Sequence, residues 1–161
     1  MTNDTAHQII EFTAKYNVNT IMFEYLGQMR MPKGFYGSKR LRFKLHYWRK
    51  TGIQNKVEEM DHYLGMRISR VLARGTSMYA YDETGEVSRS DRKDLCEFFE
   101  GKHYHAELNA SYNIGARFFI HVAMKPLSEK KRLALGAKVP EVLVRTEQTL
   151  STLHKLRTCV A

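Results

Sequence analysis

Glu24 and Glu107 are the two acidic residues whose surroundings point to chemistry. Glu24 sits in Ile21-Met22-Phe23-Glu24-Tyr25-Leu26, an apolar run in which a lone carboxylate is costly unless it is paired, hydrogen-bonded or bound to a metal. A strand-end position facing a cleft meets that requirement; an edge-strand Glu pointing into water is the other reading. Glu107 opens Glu107-Leu108-Asn109-Ala110-Ser111-Tyr112-Asn113-Ile114, at the first turn of an expected helix. There the positive end of the helix dipole favours a carboxylate with or without chemistry. Two acids on separate elements beside a basic groove suit Mg²⁺ or Mn²⁺, because hard cations take oxygen ligands and a pair of ions clamps the attacking and leaving oxygens of a phosphodiester.

The basic groove is read from the charge pattern. No acidic residue lies between Tyr25 and Val57, whereas Arg30, Lys33, Lys39, Arg40, Arg42, Lys44, Arg49, Lys50 and Lys56 are all cationic. A run of this kind suits a phosphate backbone. Tyr36, Phe43, Tyr47 and Trp48 are interleaved with it; they suit either base stacking, Trp48 above all, or ordinary packing behind a solvated basic face. The whole chain points the same way, with a formal net charge of +9 and a pI near 9.6, so a polyanion is the natural partner.

No stretch approaches the roughly 20 apolar residues of a membrane span, and Met1-Thr2-Asn3-Asp4 lacks the basic and apolar regions of a signal peptide. A cytoplasmic protein with no membrane partner is expected. Two cysteines, Cys96 and Cys159, are too few for a disulfide framework or a four-thiolate zinc site. Cys96, His103 and His105 lack the spacing of a zinc knuckle, so no zinc is expected.

The elements that must position these residues follow from periodicity. At 161 residues with 43% hydrophobic content, one domain with its own core is the prior. A helix is expected over residues 5–16, ending near Asn17, and a strand over 20–26. Gly27, Pro32, Gly34 and Gly37 mark a loop before a helix on which Leu41, Leu45, Trp48, Ile53, Val57, Met60 and Leu64 approximate one stripe, with Gly65 as its stop. A strand over 66–73, a turn at Arg74-Gly75-Thr76-Ser77 and short strand pieces over 79–105 come next. The last strong helix carries Leu108, Ile114, Phe118 and Val122 and ends before Pro126. Residues 128–161 read as a basic tail with helical stretches.

The order of these pieces over roughly residues 5–120, with the Gly75-Thr76-Ser77 turn and the Asn109-Ala110-Ser111-Tyr112-Asn113-Ile114 string, resembles the C-terminal half of TnpB proteins. These are transposon-encoded, RNA-guided nucleases related to type V CRISPR effectors. The resemblance implies an α/β chain with a partial RNase H-like (RuvC) fold and an inserted small β-hairpin element that binds target nucleic acid. It divides the chain into residues 1–75, the RuvC-like segment with the second catalytic acid and the basic helix; 76–105, the inserted element; 106–125, the segment with the third catalytic acid; and 126–161, the basic tail. It implies Mg²⁺-dependent hydrolysis of DNA in transposition, with guide RNA as partner, Glu24 as the second catalytic acid and Glu107 as the third.

The sequence departs from the family in three places. The family's first catalytic Asp lies on an early strand, and no equivalent strand precedes residue 5; a two-metal site short of one bridging carboxylate loses most of its activity. Glu107 stands where the family usually has Asp, and a carboxylate misplaced by about 1 Å can cost on the order of two powers of ten in rate. The family's paired Cys-x-x-Cys ribbon is missing, and packing of Tyr104 and its two His neighbours with Phe98, Phe99 and Tyr79 is expected in its place. Cleavage by the chain alone is therefore expected to be weak or absent, with a complementing chain or self-association covering the open sheet edge. The alternative is a non-catalytic nucleic-acid-binding remnant or a repressor-like protein.

Overall fold

The computed structural model describes residues 2–27, 36–61, 63–89 and 94–160; Arg30 and Lys33 of the basic run lie outside them. The chain is mixed α/β, with helices dominant and the strands in two small two-stranded sheets. It divides into two compact units, Met1–Arg70 and Val71–Ala161. No helix among the described residues is long and apolar enough to cross a membrane.

In the first unit, helix α1 (Thr2–Lys15) buries Ala6, Ile10 and Thr13, which share one face at steps of four and three. Asn17, at φ 53°, turns the chain out of the helix in the left-handed conformation that Asn tolerates. Strand β1 (Thr20–Tyr25) points Ile21 and Phe23 into the cluster built by Ala6, Ile10 and Val57. Helix α2 (Gly37–Asp61) follows and packs its C-terminal half on α1 through Ile53, Val57 and Met60. The amides of Leu64 and Gly65 both donate to Asp61 O, and Gly65 takes φ +66°, so the expected glycine stop ends this helix.

Strand β2 (Arg67–Leu72) pairs with β1. The Arg67 amide donates to Asn19 O at 2.9 Å, which sets the beginnings of the two strands side by side, as a parallel βαβ unit requires. Two side chains lock the crossover. Gln54 Nε2 donates to Glu24 O at 3.0 Å, and Arg70 forks onto the Glu58 carboxylate at 2.6 and 3.2 Å.

In the second unit, β3 (Leu95–Glu97) and β4 (His103–His105) form an antiparallel hairpin in the register Leu95↔His105, Cys96↔Tyr104, Glu97↔His103. Bridges Ser88↔Glu97 and Tyr79↔Glu86 add a third, irregular layer around a turn where Asp82 Oδ1 accepts from the Thr84 hydroxyl. β4 runs straight into helix α3 (Ala106–Met124), which ends ahead of Pro126.

Residues 126–161 are more than a basic tail. Helix α4 (Glu129–Lys138), a 3₁₀ turn (Pro140–Leu143) and helix α5 (Leu150–Val160) fold back so that Val139, Val142 and Leu156 form one core with Ile120 of α3. Thr149 and Thr152 cap α5 reciprocally, each amide donating to the other's hydroxyl.

Candidate nucleic-acid interface and the two carboxylates

The two halves of α2 do different things. Its C-terminal half supplies core; in its N-terminal half Lys39, Arg40, Arg42, Lys44, Arg49 and Lys50 are all exposed. None of these six forms an ion pair among the described residues. The first turn contains no acid but includes Lys39 and Arg40, so cationic side chains sit at the end where the helix dipole is already positive. An anion laid along this surface relieves that repulsion.

The apolar residues of α2 do not make the single stripe expected from their spacing. Leu41, Leu45 and Trp48 are 59, 49 and 68% exposed, whereas Val57 is fully buried. The five-residue step from Trp48 to Ile53 rotates the helix by about 140°, so the run splits into two stripes on different faces. Phe43 and Tyr47 are half-buried. Of the interleaved aromatics, Trp48 and Tyr36 present themselves to solvent and the other two do not.

Glu24 is the penultimate residue of β1 and is half-buried. Strand alternation sets it with Thr20 and Met22 on the face opposite Ile21 and Phe23. Water therefore reaches the carboxylate, and the desolvation cost expected of a fully buried acid does not arise. Glu107, the second residue of α3, is exposed in the first turn, where the dipole favours it. Neither side chain makes a hydrogen bond or ion pair among the described residues.

The residues following Glu107 have a different task, which sequence reasoning missed. Asn109, Asn113 and Arg117 recur every four residues and form one buried polar stripe on α3. Asn109 Oδ1 accepts from the Tyr81 amide at 2.9 Å and its Nδ2 donates to Tyr79 O at 3.0 Å. Asn113 Nδ2 donates to Thr76 O and Tyr79 O at 3.0 and 2.9 Å, while its Oδ1 accepts from the Leu150 amide at 3.1 Å. Arg117 donates to four carbonyls, those of Leu72, Arg74, Thr146 and Gln148, at 2.6 to 3.3 Å. Burial pushes its pKa down to about 10, so it remains a cation at neutral pH.

The stripe thus staples two irregular segments, 72–81 and 146–150, to one helix. Gly75, at φ +85°, lies against Thr146 O and the Arg117 guanidinium, where a side chain has no room, which accounts for the glycine of the Gly75-Thr76-Ser77 turn.

The hairpin and the start of α3 hold an aromatic cluster. Tyr81, Phe98, Tyr104 and Tyr112 pack with ring centroids 5.2–5.9 Å apart. The Lys102 ammonium sits 5.2–5.4 Å from three of these rings and 3.4 Å from Asp82. Interaction with the Tyr112 hydroxyl is the main cause that raises the Tyr104 phenol to about 12.

Phe99 and Tyr79 do not pack on Tyr104 and its neighbours as expected. Phe99 is 87% exposed and does not pack, because the tight turn at Gly101 (φ +77°) sends Phe98 inward and its neighbour outward. Tyr79 enters through its backbone, pairing with Glu86 and accepting from both asparagines. The register also separates Cys96 from the histidines. Cys96 pairs with Tyr104 and points inward with it, so His103 and His105 project from the other face. The buried Cys96 thiol donates to Tyr104 O, and desolvation raises its pKa.

Glu24 belongs to the first unit and Glu107 to the second. Among the described residues no three His, Cys, Asp or Glu side chains converge as ligands. Two carboxylates alone do not complete the oxygen set of a two-ion centre. Compared with known proteins, the sequence matches no family model and no curated protein.

Proposed function

We propose that this chain is a TnpB-like, transposon-associated protein with a partial RNase H-like fold, a RuvC-type nuclease module that engages DNA together with a guide RNA. The observation that carries the nucleic-acid reading is the N-terminal half of α2, with six exposed cations that form no ion pair among the described residues, over a stretch of helix free of carboxylates. Phosphates are the ligands that such a surface takes, and α2 contributes at least Lys39, Arg40 and Lys50 to them. The nuclease part rests on the order of elements: a strand with Glu24 near its end, a crossover helix, a second strand, an inserted hairpin, and a helix with Glu107 in its first turn.

On this reading Glu24 and Glu107 are each candidate ligands for Mg²⁺ or Mn²⁺, and efficient hydrolysis needs a further carboxylate. The Glu in place of Asp at position 107 favours a second reading for the isolated chain, a non-catalytic nucleic-acid-binding module.

The test is cleavage of labelled single-stranded DNA with Mg²⁺ or Mn²⁺ beside a filter-binding titration across salt concentrations. Cutting that disappears in both Glu24→Ala and Glu107→Ala supports the nuclease. Salt-sensitive binding without cutting supports the binding module. Absence of binding at low salt rejects both.

A further inference from the structure

We propose that Leu41, Leu45 and Trp48 form a docking seam for an acidic amphipathic helix of a partner protein. The three side chains follow one another at steps of four and three, the a/d spacing by which one helix inserts knobs into another. All three lie exposed, at 59, 49 and 68%, on a helix whose buried residues Gln54, Val57 and Asp61 come from a different face. With Leu41 and Trp48 at d and Leu45 at a, the e and g positions bordering the seam are Arg42, Lys44 and Arg49, all exposed cations.

Border charges of one sign choose the partner. A second copy of this helix would set Arg42, Lys44 and Arg49 against their own counterparts, with no carboxylate between Tyr25 and Val57 to compensate, so self-pairing is disfavoured. A helix with Glu or Asp beside its own apolar seam matches both features at once. A phosphate backbone satisfies the cations but leaves Leu41 and Leu45 in water. The inference goes beyond the nucleic-acid reading: Arg42, Lys44 and Arg49 serve either partner, but Lys39 and Lys50 project from the opposite side of α2 from the seam, so phosphate contacts remain when the seam is altered.

Trp48 is the chain's only tryptophan, so its emission reports the seam directly. The probe is a synthetic three-heptad peptide with Leu at a and d and Glu at e and g, titrated into the full chain. The control peptide has the same charge and Ser in place of Leu. A blue shift of Trp48 with the first peptide and none with the second is expected. Leu45→Glu should weaken peptide binding by about tenfold or more, keep the wild-type far-ultraviolet dichroism, and leave salt-dependent DNA binding in place.

Three results would overturn the proposal: no Leu-dependent shift; a Trp48 response to a single-stranded oligonucleotide that the peptide fails to displace, which would make the seam a base-stacking surface; or a wild-type dimer that Leu45→Glu converts to monomer, which would make a second copy the occupant. Because the two peptides are compared on the wild-type chain, the outcome does not depend on the variant folding. DNA binding that fails while the peptide still binds counts against the nucleic-acid reading alone.

Discussion

Asn109 and Asn113 share one acceptor, and that sharing has a measurable consequence. In Asn113→Ala, the Leu150 amide and Thr76 O lose their side-chain partner, while Tyr79 O keeps its bond from Asn109 Nδ2. With each stranded group costing about 1–3 kcal/mol, the variant loses about 2–6 kcal/mol of unit-two stability. In Asn109→Ala only the Tyr81 amide is stranded, because Asn113 still serves Tyr79 O, so the cost is about 1–3 kcal/mol. In the double variant Tyr79 O is stranded as well, and the pair should cost more than the sum of the singles by about 1 kcal/mol or somewhat more. Urea unfolding followed by the near-ultraviolet dichroism of the tyrosine cluster gives the three energies. Amide exchange at Leu150 and Tyr81 shows which bond each variant opens. An Asn113→Ala cost below that of Asn109→Ala, or a double variant at or under the sum, would refute the bonding scheme.

Lys39→Ala combined with Lys50→Ala should reduce the slope of log K for DNA against log salt by about 1.4–1.8, since each phosphate contact contributes about 0.7–0.9; an unchanged slope removes this face of α2 from the interface. Gly75→Ala should destabilise the second unit by about 2 kcal/mol or more, read in the same urea experiment, because it combines a left-handed backbone with the steric wall of Thr146 O and Arg117. Tyr104 predicts a pH dependence of definite sign. Its folded pKa, about 12, is raised above the ordinary phenol value, so its contribution is complete below pH 10 and disappears as the pH climbs through 12. Ultraviolet titration should show one late-ionising tyrosine that moves to lower pH in Tyr112→Phe; no late class in the wild type contradicts the influence of Tyr112.

Periodicity in the sequence identified the helices and strands of the first unit because their cores are built from local repeats: Ala6, Ile10 and Thr13 on α1, and Ile21 and Phe23 on β1. It failed where a small phase error accumulates or where the partner is distant. The seam on α2 merged with the core stripe because seven apolar residues at steps of three to five average to a helical period, although the one five-residue step turns the face away. Phe98 and Phe99 are adjacent, and which one enters the core is decided by a turn residue further along the chain. The asparagine and arginine stripe could not be interpreted from sequence, because its partners are backbone groups 28 to 45 residues away, and backbone groups carry no residue-type signal. The helical pattern of residues 128–161 was visible, but its docking on α3 depended on the same distant contacts.

The string that carries the TnpB resemblance and the residues that would do the chemistry therefore answer to different constraints. Asn109, Asn113 and Arg117 are fixed by packing: remove any one and buried backbone groups go unpaired. Their presence speaks for the way the second unit folds and would be required in a protein that cuts nothing. Glu24 and Glu107 are the reverse case. Both are reached by water and neither has a side-chain partner among the described residues, so substituting them should change stability by no more than about 1 kcal/mol, the helix-dipole term of Glu107 included. An activity lost in Glu24→Ala or Glu107→Ala then cannot be blamed on unfolding. The two acids and the Leu41–Leu45–Trp48 seam are places where a side chain pays nothing toward the fold, and for that reason they are the places where function can be tested cleanly.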